Sequence, residues 1–250
     1  MRIKLLCTLV LVTFFFTACR KTDDTAGLFL LSNVAVSGAV TQNISLKYDS
    51  QNRLIEENDG GGTGYYYTYD ILGRVTEEDD RSGNSVSQYF YKYDGNHIYI
   101  TVITKNNGTV VGTENRDIIL NGQQAISQDY DDGQYSLYTY DSNGDLLTQS
   151  DYLKSSPDVV FRIGYAYESN KSYFYNVEGN LFSIHPSGHI HNAKATTFTT
   201  YFDPAKPVVL SSNSTFEYNA DLFPIKETRV ETQPNGTTST SVYVYTYIQF

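Results

Sequence analysis

Tyr65-Tyr66-Tyr67-Thr68-Tyr69-Asp70-Ile71-Leu72-Gly73-Arg74-Val75 reads as a strand that runs into a tight turn and out again. Tyr65, Tyr67 and Tyr69 fall on one face, with Tyr66 and Thr68 on the other, the period of two that an extended chain imposes. The Asp70 side chain can accept backbone N–H bonds two residues on, and Gly73 can take the left-handed conformation that closes a bulged hairpin. The unit Tyr-x-Tyr-Asp-x-x-Gly returns at Tyr138-Thr139-Tyr140-Asp141-Ser142-Asn143-Gly144-Asp145-Leu146. Asp49 with Asn52, which tolerates the left-handed region next best, and Asn176 with Gly179 have the same form. A self-similar unit decides architecture before any other signal, but it fixes no chemistry.

Outward from these units the alternation persists. In Gln88 to Tyr93, Tyr89, Tyr91 and Tyr93 share one face. Turn acids or amides fall at 49, 70, 94, 121, 141, 168, 176 and 219, with spacing near two strands and two turns up to 141 and irregular after Glu168. Leu181 to Val208, interrupted by Pro186, Pro204 and Pro207, is expected to be an irregular insertion. Strands are expected again at Ser211–Tyr218, Ile225–Thr232 and Thr240–Ile248. No helical periodicity survives past the N-terminus. The expected fold is all-β, an antiparallel up-and-down meander of hairpins forming a curved sheet or a partly or fully closed barrel-like shell, in one domain over 28–250.

The N-terminus carries an address. Arg2 and Lys4 precede an apolar run from Leu5 to Phe16, too short to cross a bilayer as a helix of about 20 residues, so residues 1–18 read as a secretory signal. Phe16-Thr17-Ala18-Cys19 resembles the lipobox of bacterial lipoproteins, which implies acylation of Cys19 and a membrane partner reached through an N-terminal lipid; Phe16 replaces the usual Leu. Residues 19–27 then form a charged tether. Arg20-Lys21-Thr22-Asp23-Asp24 resembles the export signal that carries Bacteroidetes-type lipoproteins to the outer face of the outer membrane, and a plain solvated linker is the other reading. Asp24-Thr25-Ala26 resembles the O-glycosylation sequon of those bacteria, with Thr25 as acceptor.

Removing Cys7 with the signal and acylating Cys19 leaves no free thiol, so disulfides, thiolate zinc sites and cysteine nucleophiles drop out. Without Arg2 and Lys4, 16 basic residues face 28 acidic ones, a formal charge of −12. That field repels phosphate backbones, so no nucleic-acid partner is expected. With 23 Tyr, 13 Phe and no Trp, the apolar mass is aromatic and suited to half-buried sheet surfaces.

The Tyr-Asp and Gly-Arg turns between Ile44 and Leu146 are similar to the YD repeat of Rhs proteins, teneurins and insecticidal toxin subunits, where many hairpins wind into a hollow shell. The lipobox, the degenerate Tyr-x-Tyr-Asp hairpins and the late element Phe216 to Lys226, followed by Gly236 and Tyr243 to Tyr247, resemble a family of Bacteroidetes lipoproteins whose domain of unknown function is described as porin-like. That resemblance implies fold and location, and no activity. The alternation Val242, Val244, Thr246, Ile248, Phe250 resembles the terminal signal of outer-membrane barrels. Lys92, Thr139 and Glu217 opposite the aromatic column argue against a lipid-facing wall, so a water-facing sheet tethered by lipid is the reading adopted.

Candidate chemistry is sparse. His185, His189 and His191 are the only dense set of potential metal ligands, and exposed loop histidines are the reading adopted, with no cofactor expected. Asp129-Tyr130-Asp131-Asp132-Gly133 departs from a calcium loop and reads as a hairpin turn; Glu77-Glu78-Asp79-Asp80 reads as a solvated strand end. Gly60-Gly61-Gly62-Thr63-Gly64 lacks the Lys of a phosphate loop and reads as a hairpin tip, and no catalytic motif is found, so an enzyme is not expected. Two function classes remain: a surface module in which exposed tyrosines bind a glycan or peptide, and a structural envelope protein whose tyrosines are its core.

Overall fold

A computed structural model of the protein describes residues 28–179, 181–185, 190–201, 203 and 205–249. The expected signal at residues 1–18, Cys19, Thr25, Pro186, His189, Pro204 and Phe250 lie outside the described residues. Among the described residues, sixteen antiparallel strands follow one another around a closed barrel, each bonded to its neighbours in sequence, with the last returning to the first. They are β1 (Phe29–Gly38), β2 (Gln42–Tyr48), β3 (Leu54–Asn58), β4 (Thr63–Tyr69), β5 (Val75–Ser82), β6 (Ser85–Asp94), β7 (His97–Asn106) and β8 (Thr109–Asn121). The second half comprises β9 (Gln124–Tyr130), β10 (Gln134–Tyr140), β11 (Leu146–Leu153), β12 (Val159–Lys171), β13 (His191–Thr200), β14 (Val208–Tyr218), β15 (Pro224–Thr232) and β16 (Thr238–Gln249). Of the two shapes expected, the closed one is formed.

The repeat explains how the wall is tiled. At four Asp- or Asn-headed turns one carboxylate or amide oxygen accepts two backbone N–H bonds: Asp49 from Gln51 and Arg53, Asp70 from Leu72 and Arg74, Asp141 from Asn143 and Asp145, and Asn219 from Asp221 and Phe223. The left-handed positions are Asn52, Gly73, Gly144 and Leu222, the last holding φ +64° without a glycine's freedom. Beyond each turn a β-bulge sets the last tyrosine or its equivalent opposite the apolar residue, as in Tyr48 with Leu54, Tyr69 with Val75, Tyr140 with Leu146 and Tyr218 with Pro224. Bulging disrupts the ladder and leaves a carbonyl in need of a donor. The next hairpin supplies it: Tyr69 donates to Leu54 O, Tyr93 to Val75 O, Tyr167 to Leu146 O and Tyr247 to Pro224 O, all at 2.7–2.8 Å.

Arginine in the motif joins successive hairpins. Arg53 pairs with Asp49 and lies 4.7 Å over the Tyr69 ring; Arg74 pairs with Asp70 and lies 4.6 Å over Tyr93. In the late element Phe223 takes the arginine's place and packs 5.6 Å from Tyr247. The tyrosine columns share one interior with Val36, Leu46, Leu54, Val75, Ile98, Ile118 and Leu146.

Two expectations are corrected. Within the insertion expected at 181–208, His191 to Thr200 forms a regular strand paired on both sides, and the chain leaves the wall earlier than expected, at Ser172 after β12. Glu168 lies inside β12, and Asn176 belongs to the excursion rather than to a hairpin, with its side chain donating to Phe29 O. The excursion crosses one end of the barrel and sends a single helical turn, α1 (Leu181–Ile184), inward, with Leu181 and Ile184 buried in the core.

Barrel closure rests on the β1–β16 seam. Gly38 pairs with Ser241 at φ +103°, and a Cβ there would stand 2.4 Å from the Thr240 carbonyl oxygen. Gly38→Ala is expected to cost about 2–3 kcal/mol, strain plus steric displacement of the backbone. Gly60→Ala, at φ +75° with nothing within 4 Å, isolates the conformational part and should cost about 1 kcal/mol. Denaturant melts of both variants check this; equal losses would mean the seam contact contributes nothing.

Candidate functional site

Alternate turns lie at the same end of an up-and-down barrel, so the Asp-headed turns, the excursion and the start of β1 share one end. On that end a cleft of about 690 Å3 opens between the β10–β11 turn, the end of β12 and the start of β13. Its form follows from an irregularity: between Tyr167 opposite Ala193 and Lys171 opposite His191, β12 has extra residues, and Glu168, Ser169 and Asn170 bow out of the ladder. Asp141, Asn143 and Asp145 face them from the turn, and His191 and Lys194 from β13.

Asp145 stands where Arg53 and Arg74 stand in earlier repeats, and it is fully buried. Its carboxylate accepts the His191 backbone N–H at 3.1 Å and lies 2.6 Å from His191 Nδ1, clamping β13 to the turn. Burial pushes the Asp141 carboxyl up, but the Asp145 and Asn143 amides that donate to it outweigh this and hold it below the usual range. Across the cleft the Tyr218 hydroxyl donates to Glu168, and burial together with that bond pushes the phenol up to about 12. The cleft therefore presents fixed acceptors on two sides and one lysine, Lys194, a set suited to a polar ligand with several donors.

The lumen holds a second polar set. Glu78, read from sequence as part of a solvated run, is 2% exposed and inside the wall. Its carboxylate accepts the Tyr91 hydroxyl at 2.6 Å and lies 2.9 Å from His185 Nε2, which ties the excursion to β5. The correction follows from period two: Glu78 and Asp80 alternate with Glu77 and Asp79, and the Asp79 carboxylate pairs with exposed Arg81. Glu227, 1% exposed, accepts from Ser214, Arg229 and Tyr245. These carboxylates were not legible as a site because their partners come from distant strands.

His185 and His191 thus serve different carboxylates instead of sharing a site, and His189 lies outside the described residues. Among the described residues no group of three or more His, Cys, Asp or Glu is arranged to hold a metal ion. Asp129 to Gly133 forms the β9–β10 turn as expected, with Asp132 accepting the Gln134 N–H. The hairpin tyrosines line the interior and do not form an exposed stacking platform.

The outer wall is charged along its height. Lys47 pairs with Glu56 at 2.8 Å, Arg81 with Asp79 at 2.7 Å and Lys226 with Glu217 at 2.6 Å, and Lys92 and Thr139 are exposed between them. No helix among the described residues is long and apolar enough to cross a membrane.

The RHS repeat family matches residues 48–85, the segment holding the first two Tyr-Asp turns. Solved structures of similar shape include a porin-like protein from Bacteroides vulgatus, 13% identical, covering 88% of this chain and 99% of that one with a TM-score of 0.46. A porin-like protein from Bacteroides uniformis is 12% identical, covering 88% and 95%, with a TM-score of 0.40. A β-barrel-like protein of a domain of unknown function from Brucella abortus is 10% identical, covering 89% and 97%, with a TM-score of 0.18. Both resemblances drawn from the sequence, to YD repeats and to porin-like proteins, have counterparts here. No curated protein matches the chain.

Proposed function

We propose that this chain is a lipid-tethered envelope protein whose barrel faces water and acts as a binding module for a glycan or peptide at the polar cleft beside Glu168 and Lys194. The observation that carries the reading is the cleft itself, a built concavity whose walls come from three separate segments held by buried bonds. The charged outer wall supports water over lipid, since a lysine or arginine facing a bilayer midplane costs about 2–4 kcal/mol. The excursion across one end, with α1 inside the lumen, argues for a shell and against a conduit. The tether leaves from the same end as the cleft, and residues 19–27 reach at most about 30 Å when extended. A ligand displayed close to the membrane surface fits that geometry.

A structural envelope role remains the second reading, favoured by the interior placement of the tyrosines. Glycan and peptide arrays probed with residues 28–250 separate the two. The binding reading expects a specific signal that falls about tenfold or more in Glu168→Ala and Lys194→Ala, the loss of one charged hydrogen bond. Blank arrays leave the structural role. For the anchor, Cys19→Ala is expected to abolish palmitate labelling and release the protein from the membrane fraction; unchanged fractionation would remove the tether from the account.

A further inference from the structure

We propose that the lumen binds a small neutral polyol, of the bulk of one sugar ring, with Asn192 as its polar anchor. The site is separate from the cleft and goes beyond the reading above. Asn192 on β13 is 1% exposed, and its Nδ2 donates to Lys171 O at 2.7 Å and to the Tyr218 hydroxyl at 3.4 Å. Its Oδ1 is buried with no hydrogen-bond partner. Turning the amide over would set that oxygen against the Lys171 carbonyl, acceptor on acceptor, so the orientation is fixed and a donor is missing. A buried acceptor left unmatched costs about 1–3 kcal/mol, which a ligand hydroxyl can offset.

The surrounding cavity is about 200 Å3 and is walled by Tyr165, Phe198, Phe216, Ser212, Arg229 and Glu231 along with Asn192. That space equals about six or seven waters at ~30 Å3 each, enough for a single ring and too small for an oligomer. The wall combines the rings of Tyr165, Tyr173, Phe198 and Phe216 with the polar side chains of Thr196, Ser212, Ser214, Arg229 and Glu231. A ring with apolar faces and hydroxyl edges matches such a wall. Charge narrows the class further. Arg229 is already paired with Glu227 at 2.8 Å, and Glu231 faces the same space, so an anion meets excess carboxylate. A cation meets the Arg229 guanidinium and bears a large desolvation cost that a neutral ligand avoids.

The test uses the detergent-solubilised full-length protein and a panel of free glucose, galactose, mannose, xylose, N-acetylglucosamine, glucosamine and myo-inositol, read by calorimetry and saturation-transfer NMR. At least one neutral member is expected to bind saturably, and Ser212→Phe, which fills the cavity, is expected to weaken it about tenfold or more. Asn192→Leu should do the same, but it also removes the bond to Lys171 O, so Ser212→Phe with unchanged circular dichroism is the deciding variant. Lys194→Ala, in the outer cleft, should leave this binding intact, so failure of one site does not imply failure of the other. The proposal is overturned if no member binds, if Ser212→Phe binds like the parent, or if glucosamine binds better than every neutral sugar. It is equally overturned by a crystal structure grown with the best ligand that shows only ordered water on Asn192 Oδ1.

Discussion

Above pH 10 the barrel is expected to unfold in one steep step, with the tyrosines ionising together as it opens. Burial, and next to it the neighbouring carboxylates Glu57 and Glu78, push the phenols of Tyr48, Tyr67 and Tyr91 well above their ordinary value. Tyr69, Tyr138, Tyr245 and Tyr247 are raised by burial first as well. The sign follows from proton counting. Below pH 10 both states hold these protons and the effect is absent; above it the unfolded chain releases them while the native state keeps them, so stability falls as pH rises. Each such group contributes about 1.4 kcal/mol per pH unit, and seven together approach ~10 kcal/mol per unit. Domain stabilities are about 5–15 kcal/mol, so unfolding should be complete within about two units above pH 10. Tyrosinate absorbance and circular dichroism followed against pH should change together. A gradual phenol titration centred near pH 10 with unchanged circular dichroism would contradict the enclosed aromatic lining.

The second large effect is expected from Arg229→Met. Glu227 is almost fully buried and relies on Arg229, Ser214 and Tyr245 for its charge. Removing the guanidinium strands a carboxylate in the lumen, for which about 3–5 kcal/mol is the usual cost; the arginine is one-third exposed, so the low end, about 3 kcal/mol, is expected. Adding Glu227→Gln to that variant removes the stranded charge while keeping an acceptor for Ser214 and Tyr245, and should recover most of the loss. Denaturant melts of the two single variants and the double variant measure the coupling. Additive losses would show that the pair does not act as a unit.

Much of the wall was legible residue by residue. Tyr65, Tyr67 and Tyr69 declare their common face through local alternation, and Asp70 with Gly73 declares its turn through local hydrogen bonding and φ, neither of which needs a distant partner. Glu78 shows where that reading stops. Its place in the strand puts it inside, yet four adjacent acids suggest solvent, and only Tyr91 and His185, brought in from elsewhere in the chain, make a buried carboxylate tolerable. The excursion was misplaced for a related reason. Pro186, Pro204 and Pro207 point to an irregular insertion where periodicity breaks, whereas Tyr173, Phe174, Val177, Leu181 and Ile184 are apolar without period and become interior because the barrel leaves room for them. His191 gave no hint of Asp145, which replaces a turn arginine and thereby holds the next strand.

Local alternation and turn chemistry, interactions within a few residues, determined that this chain is a meander of bulged hairpins with its tyrosines on one side. Tertiary structure decided the rest: that β1 meets β16, that the excursion enters the lumen, and which carboxylates and amides meet in the cleft and around Asn192. Period two is the same in an open sheet and a closed one, and closure depends on tilt and stagger summed over all sixteen strands.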